Sequence, residues 1–123
     1  MTPDRSLPIA MFDSGVGGLT VLHELLVWMS HEDFIYLGDT ARFPYGERTP
    51  DELRSFSLSI ADHLLGVGAK LLVVACNSAS SAALPALIEY VADKGLAVDV
   101  IGVFTLDPLV FLLGCLTQSA QLG

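Results

Sequence analysis

Leu71-Leu72-Val73-Val74-Ala75-Cys76-Asn77-Ser78 is the stretch whose reading decides the fold. Its first five residues are apolar without alternation. A half-exposed strand alternates between apolar and polar residues, whereas a strand apolar at every position buries both faces. That is the pattern of a central strand in a parallel sheet, covered by helices on both sides. The run stops at Cys76 and gives way to Asn77, Ser78, Ser80 and Ser81. Open parallel sheets bind ligands outside the carboxyl ends of their strands, so this polar stop is the first place to look for chemistry.

Outward from that strand the chain repeats one unit. Leu7 to Phe12 reads as a strand ending at Asp13, followed by the turn Ser14-Gly15-Val16-Gly17-Gly18. A helix from about Leu19 to Met29 carries Leu19, Leu22, Leu25, Leu26 and Met29 at helical spacing. Phe34 to Leu37 is a second strand, and a long loop runs from Gly38 to Arg48. Thr49-Pro50-Asp51-Glu52 is a capping box with proline at the first helical position. The helix it opens turns Leu53, Phe56, Ile60, Leu64 and Leu65 inward and is stopped by Gly66 and Gly68. After the central strand, a third helix spans about Ser80 to Asp93 with Gly95 as its stop, and Val98 to Val103 is a fourth strand. The order β-α-β-α-β-α-β predicts an α/β fold, a three-layer parallel sheet of flavodoxin-like order with right-handed crossovers. Asp13-Ser14, the loop from Gly38 to Gly46 and Cys76-Asn77-Ser78 all follow strand ends. They are expected to meet on one edge of the sheet.

Bulk properties narrow the function classes. A chain of 123 residues, 52% of them hydrophobic, has material for one domain with a sizeable core. Its net charge is −8, with six Lys and Arg in all. Nucleic-acid and anionic-membrane surfaces both need clustered cations, so neither partner is expected. A small anionic substrate remains compatible, because backbone N–H groups and helix N-termini hold carboxylates without a cation. Cys76 and Cys115 do not make a disulfide framework, and Met1 to Pro8 lacks the pattern of a signal peptide. The most apolar stretch, Pro108 to Leu116, is far shorter than the roughly 20 residues that cross a bilayer. A cytoplasmic protein with free thiols is expected.

Cys76 is the leading candidate for chemistry. A thiol beside a helix N-terminus sits in positive partial charge, which favours its anionic form. The alternative is an inert buried cysteine; the polar run after it favours a functional one. Asp13 faces it from another strand end and would tune or assist it, or else simply caps the glycine-rich turn. Gly15-x-Gly17 begins a dinucleotide-binding fingerprint, but Thr20 stands where the third glycine belongs. A tight turn around any small anion explains these glycines equally well. Arg42 is either a loop residue of the site or a solvated charge. His23, His31 and His63 make no metal-ligand pattern, and no metal is expected. Lys70 and Lys94 fall at the opposite sheet edge, which disfavours a pyridoxal phosphate Schiff base.

Three motifs, in order, resemble those of the glutamate racemases: Phe12-Asp13-Ser14-Gly15-Val16-Gly17-Gly18-Leu19-Thr20-Val21-Leu22; Tyr36-Leu37-Gly38-Asp39-Thr40-Ala41-Arg42 running on to Pro44-Tyr45-Gly46; and Val73-Val74-Ala75-Cys76-Asn77-Ser78-Ala79-Ser80. The resemblance covers about Ile9 to Val103. It implies one domain of a two-domain racemase fold that interconverts L- and D-glutamate without a cofactor, D-glutamate being destined for bacterial peptidoglycan. It implies two cysteines, one from each domain, that remove and return the Cα proton on opposite faces. Cys76 matches the first, with Asp13 assisting it. Asp13, Ser14, Tyr45, Gly46, Asn77 and Ser78 match the substrate-binding positions; residue 78 is usually Thr in the family, and Ser78 keeps the hydroxyl. Glutamate is then the small-molecule partner, and a homodimer is compatible with the resemblance.

The chain also departs from that family. Members are about twice this long, and the second domain with its Cys-Thr-His motif is missing. Residues 1–103 therefore read as the N-terminal racemase domain and residues 104–123 as a divergent apolar tail in its place. Leu113-Gly114-Cys115 lacks the following Thr-His, so Cys115 is read as non-catalytic. Competing readings are an inactive fragment or interaction remnant, and a related aspartate racemase or arylmalonate decarboxylase.

Overall fold

The computed structural model describes residues 5–15 and 17–102. Its elements alternate as expected: β1 (Ile9–Asp13), α1 (Leu19–Trp28), β2 (Phe34–Gly38), α2 (Pro50–Val67), β3 (Leu71–Val74), α3 (Asn77–Asp93) and β4 (Asp99–Gly102). Between β2 and α2 lie two single 3-10 turns, Thr40–Arg42 and Tyr45–Glu47. The strands form one parallel sheet in the order β2-β1-β3-β4. The chain steps from β1 to β2 in one direction and from β3 to β4 in the other. The reversal falls between β1 and β3, where Phe12 pairs with Val74, and a crevice opens at such a point.

Alternation along the central strands builds two cores. Ala10, Phe12, Leu72 and Val74 face α2 and α3, joining Leu53, Ile60, Leu64, Ala83 and Leu87. Ile9, Met11, Leu71 and Val73 face α1, against Leu25 and Met29. All eight strand residues are fully buried, which is the physical content of the unbroken apolar run. With helices on both faces, the architecture is the expected three-layer α/β fold.

Several element edges differ from the sequence reading. β1 starts at Ile9 rather than Leu7 and includes Asp13. β4 starts at Asp99 rather than Val98, and the expected end at Val103 lies outside the described residues, as do residues 104–123 with Cys115. On α1, Leu19 and Leu26 are 46% exposed instead of buried. A helix turns about 100° per residue, so Val21, Leu22, Leu25 and Met29 share one arc while Leu19 and Leu26 fall on its flanks. Trp28 is exposed at the end of that helix.

Gly66 does not stop α2; the helix passes through it and ends one residue later, at Val67. Gly68 ends it, with φ +109° and its N–H donating to Leu64 O at 3.2 Å. The start of α2 is as read. Thr49 Oγ1 accepts from Glu52 N at 3.2 Å, and Glu52 Oε1 accepts from Thr49 N at 3.2 Å. α3 begins three residues earlier than expected, so Cys76 is its N-cap residue.

At the amino edge of the sheet, Lys70 and Glu32 form a buried ion pair of 2.6 Å, and Lys70 Nζ also donates to Arg5 O at 2.9 Å. This places Lys70 at the end of the sheet opposite the crevice. Removing one partner of a buried pair leaves a charge without compensation, at a cost of about 3–5 kcal/mol. In urea unfolding, Glu32→Ala is expected to lose about that much, and Thr49→Ala only about 1 kcal/mol from its cap.

Candidate active site

The carboxyl edge of the sheet is organised around the last two residues of β1. Asp13 Oδ1 accepts from Ser14 N at 2.7 Å, and Asp13 Oδ2 accepts from Gly18 N at 2.6 Å, at the start of α1. Its carbonyl accepts from Asp39 N at 2.9 Å, and the Phe12 carbonyl accepts from Ala75 N at 2.8 Å. The three loops expected at this edge are thus tied to one dipeptide.

Two glycines are set by close approach. A Cβ on Gly38 would collide with the Gly15 carbonyl oxygen. One on Gly18 would stand 3.0 Å from Tyr36 Oη and 3.1 Å from Asp13 Oδ2. The turn between β1 and α1 is therefore packed onto β2 and the Asp13 carboxylate, a tighter constraint than a phosphate fingerprint supplies. Tyr36 Oη donates to Gly15 O at 3.1 Å and closes that contact. The Tyr36 phenol is pushed up to about 12, first by burial and then by the Asp13 carboxylate.

The loop after β2 carries the second group. Asp39 is buried, and its carboxylate accepts hydrogen bonds from Tyr45 Oη and from Arg42 Nε, the latter at 2.7 Å. The Arg42 guanidinium lies 4.2 Å from the centroid of the Phe56 ring on α2, and the Tyr45 and Phe56 rings are 5.8 Å apart. Tyr45 is only 1% exposed. Burial, with the hydrogen bond to Asp39, pushes its phenol far above the ordinary value; the Arg42 charge pulls the other way. The phenol is committed to Asp39, so what Tyr45 presents to a ligand is main chain. Gly46, beside it, is exposed with open space around it.

Cys76 is 8% exposed and packs in the same buried cluster as Tyr45. It is the one cysteine among the described residues. Its backbone is extended, and its carbonyl accepts from Ser80 N at 2.9 Å as α3 begins. Asn77 is exposed and Ser78 half-buried, both in the first turn. Ser80 turns inward to donate to Val74 O at 3.2 Å, a structural use of one of the polar residues that drew attention to the run. Alternation puts Cys76 on the α2/α3 side of the sheet and Asp13 on the α1 side. The carboxylate of Asp13 is engaged by the turn it caps. Cys76 and Tyr45 thus share one buried cluster at this edge, Asn77 and Ser78 follow Cys76 in the first turn of α3, and Asp13 and Ser14 stand at the end of β1. His23, His31 and His63 are exposed and apart from it.

No protein-family model matches the sequence. A glutamate racemase of Geobacter metallireducens is 46% identical over 115 residues, 94% of this chain and 40% of the relative. One from Thermus thermophilus is 56% identical over 86 residues, 70% of this chain and 34% of the relative. The chain is homologous to the N-terminal part of the glutamate racemases. The crystal structure of the Thermus thermophilus glutamate racemase in complex with β-chloro-D-alanine agrees in fold, with a TM-score of 0.72 and 52% identity over 80% of this chain and 37% of that one. The chain thus spans 40% or less of the length of these curated glutamate racemases. An alignment of 115 residues within 123 also passes Gly102, into the stretch read from sequence as divergent.

Tyr36 and Phe56 are the members of this edge that residue-level reading passed over. Tyr36 carries the one signal that was available, a phenol in an otherwise apolar strand. Its raised value has a measurable consequence. The folded chain holds the phenolic proton more tightly than the unfolded chain, whose phenol titrates near 10.0. That contribution to stability is complete below pH 10 and is lost as pH rises towards 12. Denaturant midpoints measured from pH 9 to pH 12 are expected to fall, and to fall less steeply for Tyr36→Phe.

Proposed function

We propose that this chain supplies one half of a cofactor-independent glutamate racemase site, with Cys76 as the acid/base on one face of the substrate Cα. The observation that carries this is the position of Cys76. It lies two residues past the central strand at the reversal of strand order, is the N-cap residue of α3, and packs in the same buried cluster as Tyr45, with Asn77 and Ser78 next to it in the first turn of α3.

The chemistry follows from that position. The Cα proton of an amino acid is a weak acid, so a thiolate removes it only where the developing carbanion is stabilised and water is held off. The Cys76 sulfur takes the proton, and the electron pair passes into the adjoining carboxylate group of the substrate. Main-chain donors of the Tyr45-Gly46 turn and of the first turn of α3 hold that carboxylate, with the Asn77 and Ser78 side chains completing the cradle. Asp13 and Ser14 meet the substrate from β1, and Asp13 assists the proton transfer. Inversion requires a proton delivered to the opposite face. The resemblance to the racemases gives that role to a second cysteine in a second domain, beyond the residues described here. D-Glutamate made in this way enters peptidoglycan synthesis in the cytoplasm. Several of the solved relatives hold ligands of this class, among them the Francisella tularensis glutamate racemase in complex with D-glutamate.

The test is exchange in deuterated water. The 123-residue chain, incubated with each glutamate enantiomer and followed by proton NMR, is expected to exchange the Cα proton of one enantiomer without inverting it. Cys76→Ser is expected to lower that exchange by about 10²–10⁴-fold. Net racemisation by this chain alone would overturn the need for a second half. A folded chain that neither binds glutamate nor exchanges it would overturn the half-site.

A further inference from the structure

The proton-transfer scheme leaves a buried carboxylate without a task. Asp39 is 8% exposed and lies at the end of β2, one residue past the strand. Its backbone N–H is tied to Asp13 O, and its side chain accepts from Tyr45 Oη and Arg42 Nε. Buried carboxylates are retained only when paired and hydrogen-bonded. Here both conditions are met by residues of the same loop.

The pair is also anchored from outside the loop. The Arg42 guanidinium stacks on Phe56 at 4.2 Å, and Phe56 in turn packs against Tyr45. The Tyr45 phenol is therefore held by Asp39 and its ring by Phe56, within the buried cluster that also contains Cys76. Tyr45 thus joins the two groups: its phenol donates to the Asp39 carboxylate, and its ring lies in the same buried cluster as the Cys76 thiol. Among the described residues, the other charged groups of the carboxyl strand ends and of the loop after β2 are Asp13 at the end of β1, the exposed Glu47 of the Tyr45–Glu47 turn, and Arg48, which pairs with Glu52 at 3.4 Å and lies 5.5 Å from the Phe56 ring; the first turn of α3 holds no acid, and the residues that α2 buries are uncharged.

Resting on the assignment of Cys76 as acid/base, we propose that Asp39 and Arg42 are positioning residues of this site. Their ion pair holds the Tyr45 ring beside Cys76 and cancels a carboxylate charge that would oppose both an anionic thiolate and an anionic substrate. Arg42 is then neither a surface charge nor a ligand for the substrate. It makes an acid tolerable where the site needs the hydrogen-bonding geometry of a carboxylate without its field.

The test reads Cys76 directly and needs no substrate. The full chain is alkylated with iodoacetamide at pH 8, and the Cys76-containing peptide is followed by mass spectrometry, which separates it from Cys115. Arg42→Gln leaves Asp39 uncompensated and is expected to slow alkylation about tenfold, because an unpaired negative charge nearby disfavours the reactive thiolate. Arg42→Lys keeps the charge and is expected to stay near the wild-type rate. The double variant Asp39→Asn, Arg42→Gln removes both charges and is expected to restore that rate. Wild-type alkylation in Arg42→Gln, or a double variant as slow as the single one, overturns charge cancellation. Should Arg42→Gln fail to fold by circular dichroism, Asp39→Asn alone decides. It keeps the shape, frees the Arg42 charge and is expected to speed alkylation; an unchanged rate overturns the proposal. Because the assay contains no glutamate, failure of the glutamate reading leaves these outcomes unchanged.

Discussion

The carboxyl edge of this sheet depends on Asp13. One carboxylate takes the main-chain N–H groups of Ser14 and Gly18, and the carbonyl of the same residue takes the N–H of Asp39. Helix α1, the turn before it and the loop after β2 are all referred to that residue. Hydrogen bonds from main-chain donors to a carboxylate are stronger than those between neutral groups, and the one from Gly18 is buried from competing water. The glycines answer to the same constraint. Gly38 and Gly18 have no room for a side chain because Gly15, Tyr36 and Asp13 are drawn in around them.

Around that fixed point the site is built from groups that are mutually satisfied before any ligand arrives. Asp39 has Tyr45 and Arg42, Arg42 has Phe56, and Tyr36 has Gly15. A polar network in a low-dielectric setting is rigid when every member is partnered and costly when one is not. The exposed Asn77, the half-buried Ser78 and the exposed Gly46 are less committed. The division suits a crevice in which buried side chains hold the shape while the main chain and the α3 turn meet the ligand.

Much of the fold could be read before the structure. The unbroken apolar run at Leu71–Val74 gave the central strand and the layer on each side, because only a doubly covered strand tolerates it. Thr49 and Glu52 announced α2, since their reciprocal bonds are local and need no tertiary partner. Departures fall where local pattern underdetermines the structure. Leu19 and Leu26 fit the apolar stripe yet are exposed, because spacing alone does not say which arc of a helix faces the sheet. Gly66 reads as a stop, but an isolated glycine is only a weak breaker and the helix continues through it.

The candidate site divides the same way. Chain order already places the strand-end segments Asp13-Ser14, Gly38 to Gly46 and Cys76-Asn77-Ser78 on one edge of a parallel sheet, and within them the resemblance to the glutamate racemases singles out Asp13, Ser14, Tyr45, Gly46, Cys76, Asn77 and Ser78. Residue by residue, the sequence left Asp13 open between capping and catalysis and Arg42 between site and solvent. Only the tertiary structure put the Asp13 carboxylate onto the α1 turn, buried Asp39 with Arg42 and Tyr45, and brought Phe56 from a helix to support them. Those relations join residues whose nearness depends on strand order and helix packing. Local pattern carries no information about such pairs until the sheet has closed around them.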